Sequence, residues 1–218
     1  MELNISPIIH FFTNEGVPIE TIILLLMLPI IATFIAFLRQ VVGIKAFGIY
    51  TPLIITFAFL ATNGLRYGVA IFLAVIFIGM LMRFVMKPFR LLYLPRVAIM
   101  LTIVSLTILV MLVLGGNQRR TGLASVSIFP ILIMITLVEK FVAVQIEKGN
   151  KTALILAFET LIISIFGFYI ASWKPLIEIL IGYPWLILLT IPMNIVIGKW
   201  TGLRISEYFR FRHIIKQL

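Results

Sequence analysis

The chain has 218 residues, of which 62% are hydrophobic and only 12% are charged. That amounts to about 135 hydrophobic residues, close to the ~140 that seven membrane-spanning helices of ~20 residues need, and an ordinary soluble domain carries about 25% charged residues. Composition therefore excludes a soluble enzyme and predicts an all-α, polytopic membrane protein.

Several kinds of chemistry are excluded by the residues that are missing. All eight acidic residues are Glu, there is no Cys, and the two histidines, His10 and His213, stand far apart in the sequence. Without Asp there is no aspartyl dyad, and without Cys there is neither a thiol nucleophile nor a mixed His/Cys metal site. No nucleotide-binding loop or catalytic serine motif occurs. We expect no enzymatic activity, no metal and no cofactor.

Seven apolar spans follow one another with short connections, broken at charges, Gly and Pro. The predicted spans are 18–38, 45–62, 66–86, 91–114, 123–144, 152–172 and 183–200. A short extracytoplasmic N-terminus, 1–17, precedes this membrane domain of 18–200, and a basic amphipathic tail, 201–218, follows it.

The orientation of the spans is predicted from the distribution of Lys and Arg, which cytoplasmic loops retain. With the N-terminus outside, 14 of the 18 basic residues are cytoplasmic, and the outside holds only Arg66, Arg119, Arg120 and Lys174. The basic residues lie at the ends of apolar runs. The net charge of +10 therefore indicates membrane orientation and not nucleic-acid binding. We predict a multi-pass membrane protein with its N-terminus outside and its C-terminus in the cytoplasm.

Two similar stretches suggest an internal repeat. Residues 43–52 and 122–130 each run from Gly through small residues and an aromatic to Pro, and each leads into an apolar span. They would enter from opposite sides, so spans two to four and five to seven would be inverted repeats, a pattern typical of transporters. We expect Thr51 and Pro52 to meet Phe129 and Pro130 at a common cavity. The alternative is that Pro and Gly are simply frequent in membrane helices.

Ionisable residues within predicted spans are informative, because charge is costly there and usually faces a partner or water. Glu159, Arg83 and Glu139 are the candidates. Glu159 lies nine residues after Asn150, roughly 13 Å along a helix, close to the middle of a ~30 Å core. Arg83 and Glu139 lie nearer to the cytoplasmic ends of their spans. Glu159 either joins the cavity as a proton or cation ligand, or is a hydrogen-bonded packing residue.

The last segment is dense in aromatic and basic residues. We expect an amphipathic helix on the cytoplasmic leaflet, with docking to lipid or to a partner through Arg204, Glu207, Arg210 and Arg212. A plain membrane anchor is the alternative.

Four stretches, 39–52, 94–98, 129–139 and 198–212 (GKWTGLRISEYFRFR), resemble the bacterial seven-helix membrane domain usually fused to an inactive transglutaminase-like domain. More distantly, the Gly-aromatic-Pro stretches and residues 145–149 are similar to the small membrane subunit of poly-γ-glutamate capsule synthases. Only about 17 residues precede the first span, so we expect the extracytoplasmic domain to be absent or supplied by another chain.

The resemblance implies a non-enzymatic membrane subunit of a system that makes or exports a glutamate-rich peptide. Such a subunit would contact the lipid bilayer, a cytosolic ATP-grasp-type ligase and a separate transglutaminase-like or other membrane subunit. Two alternatives remain: a seven-helix sensor or receptor, and a membrane scaffold without a transport path.

Overall fold

The computed structural model describes residues 6–62, 64–86, 92–117, 128–200 and 202. Helices account for nearly all of this described part, and it contains no strand. The helices are α1 (Pro7–Asn14), α2 (Ile19–Phe37), α3 (Tyr50–Ala61), α4 (Leu65–Met86), α5 (Tyr93–Asn117), α6 (Ile128–Lys148), α7 (Asn150–Ala171), α8 (Lys174–Gly182) and α9 (Thr190–Gly198). A π-helical segment, Leu38–Val42, extends α2, and a 3₁₀ helix, Pro184–Leu189, precedes α9.

Three helices in the described part are long and apolar enough to cross a membrane: Ile19–Val42, Leu65–Met86 and Asn150–Ala171. The pair Lys174–Gly182 and Pro184–Gly198 is bent by 105° and makes a fourth when it is counted as one broken span. Two shorter apolar helices are Tyr50–Ala61 and Leu94–Val110. The all-α, polytopic membrane architecture predicted from composition is therefore confirmed.

Two predicted spans differ from the helices that form. The second was predicted over 45–62, but α3 begins only at Tyr50, because Ala46 and Gly48 have positive φ angles of 41° and 90° that interrupt helical geometry. The seventh was predicted over 183–200 as one helix, but its first part is a 3₁₀ helix. Such 3₁₀ turns are frequent before the first turn of an α-helix, and Pro192 is the third residue of α9, where its missing N–H is tolerated.

Two short helices lie in segments where the sequence predicted none. In α1 the Ser6 side chain accepts a hydrogen bond from the Ile9 N–H at 3.4 Å, and Pro7 opens the first turn. Ile9 is buried against Ile22 of α2 and Ile181 of α8. The Ser6 N–H also donates to the Ile181 carbonyl at 3.2 Å, so α1 and α8 are joined to one another.

The chain divides into two compact units, the first made of Met1–Lys45 with Tyr169–Leu218. In it, the Asn194 amide donates to the Thr33 hydroxyl at 2.7 Å, and the Gln40 amide donates to the Trp200 carbonyl at 3.5 Å. From the first of these hydrogen bonds to the second, the residue number rises in both partners. α2 and α9 therefore run in the same direction. Parallel first and last spans agree with the predicted odd number of spans.

The second unit, Ala46–Phe168, contains α3 to α6 and most of α7. Here α6 packs against α3, α4 and α5. The core between these helices includes Phe59, Phe72 and Phe141, each less than 2% exposed. The candidate site lies within this unit.

Candidate functional site

A short loop before α3, which we call the entry loop, comprises residues 46–49. Ala46 is buried and adopts a left-handed φ of 41°, a conformation that costs a residue with a Cβ atom roughly 1–2 kcal/mol. Gly48 also has positive φ, at 90°. The backbone is thus held in a turn, and specific contacts must offset its cost.

The entry loop is held by two neighbouring side chains of α7. The Ala46 N–H donates to a Glu159 carboxylate oxygen at 2.9 Å, and the Phe47 N–H donates to the Thr160 hydroxyl at 3.1 Å. In hydrocarbon a backbone N–H without a partner costs several kcal/mol. Glu159 and Thr160 therefore provide the acceptors that allow the chain to leave helical geometry at this place.

Below the loop, hydroxyl groups join α3 to α7. The Ser164 hydroxyl of α7 donates to the Pro52 carbonyl of α3 at 3.1 Å, and the Thr56 hydroxyl of α3 donates to the Ser164 carbonyl at 3.3 Å. A Cβ atom on Gly167 would lie 2.5 Å from the Thr56 hydroxyl oxygen, so only glycine permits this approach. The contacts progress in the same order along both helices, and α3 and α7 therefore run in the same direction.

The length of α3 places this loop inside the membrane domain. Its 12 residues extend about 18 Å, well short of a ~30 Å hydrocarbon core. Glu159 is the tenth of the 22 residues of α7, near the middle of that helix. The entry loop lies beside Glu159, so α3 begins near the middle of α7 and is too short to cross the core alone; we therefore call α3 a half-helix.

A cavity of about 300 Å³ opens beside the start of α3. Thr51 lines it from α3, and Thr136 and Lys140 line it from α6. The Thr51 hydroxyl donates to the Phe47 carbonyl at 2.8 Å, and the Phe47 ring packs edge-on against Phe141 with centroids 6.5 Å apart. We call this space the Lys140 cavity. Its wall combines a cation, two threonines and the N-terminus of a helix.

The structure brings only part of the predicted cavity together. Thr51 lines the Lys140 cavity, but Pro52 and Pro130 are buried third residues of α3 and α6 and do not line it. The lining residues of α6 begin at Ile133. A proline in a first turn replaces an N–H that has no helical partner in any case, so neither proline breaks a helix.

The remaining predicted residues are placed as follows. Glu159 binds the entry loop and does not line the Lys140 cavity, while Glu139 is exposed on α6. Phe129 and Arg83 lie in α6 and α4, and their side chains are outside the described part. The tail residues Arg204, Glu207, Arg210 and Arg212 are also outside the described residues.

The sequence reasoning missed Thr160, Ser164 and Lys140. Thr160 and Ser164 are fully buried polar residues, and with Gly167 they recur at helical spacing along one face of α7. A stripe of small and hydroxyl residues is the usual sign of close packing between membrane helices, and it could have identified this face. Lys140 follows Glu139 directly near the predicted cytoplasmic end of its span, where a basic residue is expected for orientation alone.

These helices and this site define a polytopic, all-helical membrane protein with a broken span. A family model described as seven transmembrane helices usually fused to an inactive transglutaminase matches residues 12–215. The chain belongs to this family, as its resemblance indicated. Comparison with curated proteins and with solved structures gives no match.

Proposed function

We propose that the chain is the non-enzymatic membrane subunit of a bacterial system that makes or exports a glutamate-rich, anionic peptide. In this proposal it lies in the inner membrane with its N-terminus outside. It works with a cytosolic ATP-grasp-type ligase and with a separate extracytoplasmic transglutaminase-like or other membrane subunit. The family supports a non-catalytic role, because its usual fusion partner is itself an inactive transglutaminase.

The observation that carries the proposal is the Lys140 cavity beside a half-helix. The N-terminus of a helix carries about half a positive charge from its aligned peptide dipoles, and Tyr50 and Thr51 at the start of α3 both line the cavity. Lys140 adds a full positive charge. Half-helix N-termini near the middle of a membrane are the usual sites for anionic groups in transporters. The cavity thus suits a carboxylate.

A second candidate function, a receptor, is favoured by the joined helices α1 and α8. On the predicted topology they lie outside, and Phe11 and Trp173 are 61% and 60% exposed there. The sequence predicted only short connections between the spans, whereas these helices provide a surface. The third alternative, a scaffold, uses neither this surface nor the Lys140 cavity.

Isolation of the intact chain in mild detergent from its own host distinguishes these functions. The proposal expects a ligase among the proteins that co-purify with it. A kinase or a response protein in its place would favour the receptor, and a chain that retains lipid but no ligase would favour the scaffold. The same preparation with Lys140→Gln should retain the ligase, because Lys140 lies in the cavity and not on the expected docking tail.

A further inference from the structure

A second cleft in the unit Ala46–Phe168 has a polar wall that the proposed function does not use. It encloses about 330 Å³ at the end of α4, the start of α5, the last turns of α6 and the start of α7. Its polar lining residues are Arg96, Gln145 and Asn150. On the predicted topology all four of these helix ends are cytoplasmic. We call it the Arg96 cleft.

The polar atoms in this cleft are withdrawn from solvent. The Nε of Arg96 and both amide atoms of Gln145 are buried, and Gln145 is only 1% exposed as a whole. The Asn150 side-chain oxygen is buried too, and it accepts no hydrogen bond from any residue in the described part of the chain. A buried acceptor without a donor costs about 1–3 kcal/mol, which a ligand that supplies an N–H would recover.

Charge and hydrogen-bonding capacity together define the ligand. Arg96 places a cation in the wall of the cleft, which favours a negatively charged group. A guanidinium binds a carboxylate through paired N–H donors, and a carboxamide both donates to and accepts from a peptide group. A phosphodiester group offers acceptors only and would leave the Asn150 oxygen without a donor. A peptide with acidic side chains offers the carboxylate and the N–H together.

We propose that the Arg96 cleft binds an acidic peptide segment, with a side-chain carboxylate on Arg96 and a peptide N–H on the Asn150 oxygen. This inference rests on the proposed function only for the choice of a glutamyl probe. It extends the proposed function by a cytoplasmic site at which the peptide product would be taken up. Lys148 and Lys151, exposed on either side of Asn150, would attract the rest of an acidic chain.

The test measures binding of fluorescein-labelled pentaglutamate to the full chain in phosphatidylcholine nanodiscs, by fluorescence anisotropy. Arg96→Gln should weaken binding by at least about tenfold, the effect of losing one charge-assisted hydrogen bond. Arg66→Gln is the matched control, because it removes the same charge from an exposed position at the opposite end of α4. It should leave affinity within about twofold, as expected for a screened surface charge. If the two variants lost affinity equally, the loss would be explained by net charge alone, and the proposed site would be wrong.

Competitors and a second variant test the peptide contact. N-acetylglutamate N-methylamide should displace the probe better than glutarate, which has the carboxylates but no N–H, and better than inorganic phosphate. Asn150→Asp places a carboxylate against the ligand and should abolish binding, whereas Asn14→Asp on α1 should not.

Two results would contradict peptide binding in the Arg96 cleft. Phosphate or phosphatidylglycerol that competes as well as the peptide unit would make the cleft a lipid-headgroup site and end the peptide proposal. Absence of binding to the wild-type chain would end it too, and would leave co-purification of a ligase, the test of the proposed function, unaffected. Should Arg96→Gln not yield folded protein by size exclusion, the Asn150→Asp and competition results decide the matter.

Discussion

The two hydrogen bonds that hold the entry loop make a quantitative prediction about its opening. Replacing Glu159 by Ala removes the acceptor for the Ala46 N–H, a hydrogen bond to a charged group that contributes about 1.5–3 kcal/mol. Since 1.4 kcal/mol is a factor of ten, the population in which the loop has left α7 should rise about 10- to 100-fold. Glu159→Gln keeps an oxygen at the same place, and the rise should be no more than about tenfold.

The second anchor is tested by Thr160→Val, which keeps the shape of the side chain but leaves the Phe47 N–H without its acceptor. A buried, unsatisfied N–H costs about 1–3 kcal/mol, so opening should increase by roughly 5- to 100-fold. Thr102→Val is the matched control. Thr102 is exposed on α5, and its hydroxyl bonds only the Ala98 carbonyl of its own helix, at 3.0 Å.

Opening can be measured directly, because the chain contains no cysteine. Ile49→Cys places one thiol in the entry loop, at a position that is 36% exposed. Its rate of reaction with a water-soluble maleimide reports the open population when closing is fast. The reasoning is refuted if Glu159→Ala and Thr160→Val label no faster than Thr102→Val, because Glu159 and Thr160 would then not hold the loop.

Three further predictions use other parts of the chain. Gly167→Ala should lower thermal stability in detergent by about 1–3 kcal/mol through its clash with Thr56, while Gly198→Ala, whose Cβ meets nothing within 4 Å, should be neutral; equal melting temperatures would contradict the close approach of α3 and α7. Single cysteines at Asn14 and Gln217 should label with an impermeant reagent from outside and from inside the cell respectively, and external labelling at Gln217 would invert the topology. Neutralising Arg204, Arg210 and Arg212 in the tail should release a cytosolic partner in a salt-sensitive way. If the partner stays bound, the tail acts only as a membrane anchor.

The long helices could be predicted from the sequence because length and hydropathy alone define them. Helices α2, α4 and α7 are apolar for more than 18 residues and end where charges or glycines begin. The break before α3 could not be predicted in the same way. Hydropathy does not distinguish a half-helix from a full span when the residues on both sides are apolar, and Ala46 has no sequence signature for a left-handed φ. Only Gly43 and Gly48 gave a local sign of it.

The candidate site, too, could be predicted from the sequence only in part. An ionisable residue in a span must face protein or water, so the position of Glu159 in the sequence already indicated that it has a partner. That partner is a backbone N–H 113 residues away, a contact set by how α3 packs on α7 and not by any local pattern. The prolines were misleading for a physical reason. Pro52 and Pro130 are compatible with an ordinary first turn, and the break depends on the residues before Pro52.

The central claim, that the chain serves production or export of a glutamate-rich peptide, is tested most directly by measuring glutamate polymer inside and outside cells that lack the chain and are complemented with its variants. The account predicts that external polymer is lost without the chain, returns with the wild type and with Lys174→Gln, and remains low with Lys140→Gln. Lys174 is an exposed lysine of α8 outside the Lys140 cavity, so the two variants differ in site and not in charge. External polymer equal to that of the wild type in cells without the chain would contradict the claim.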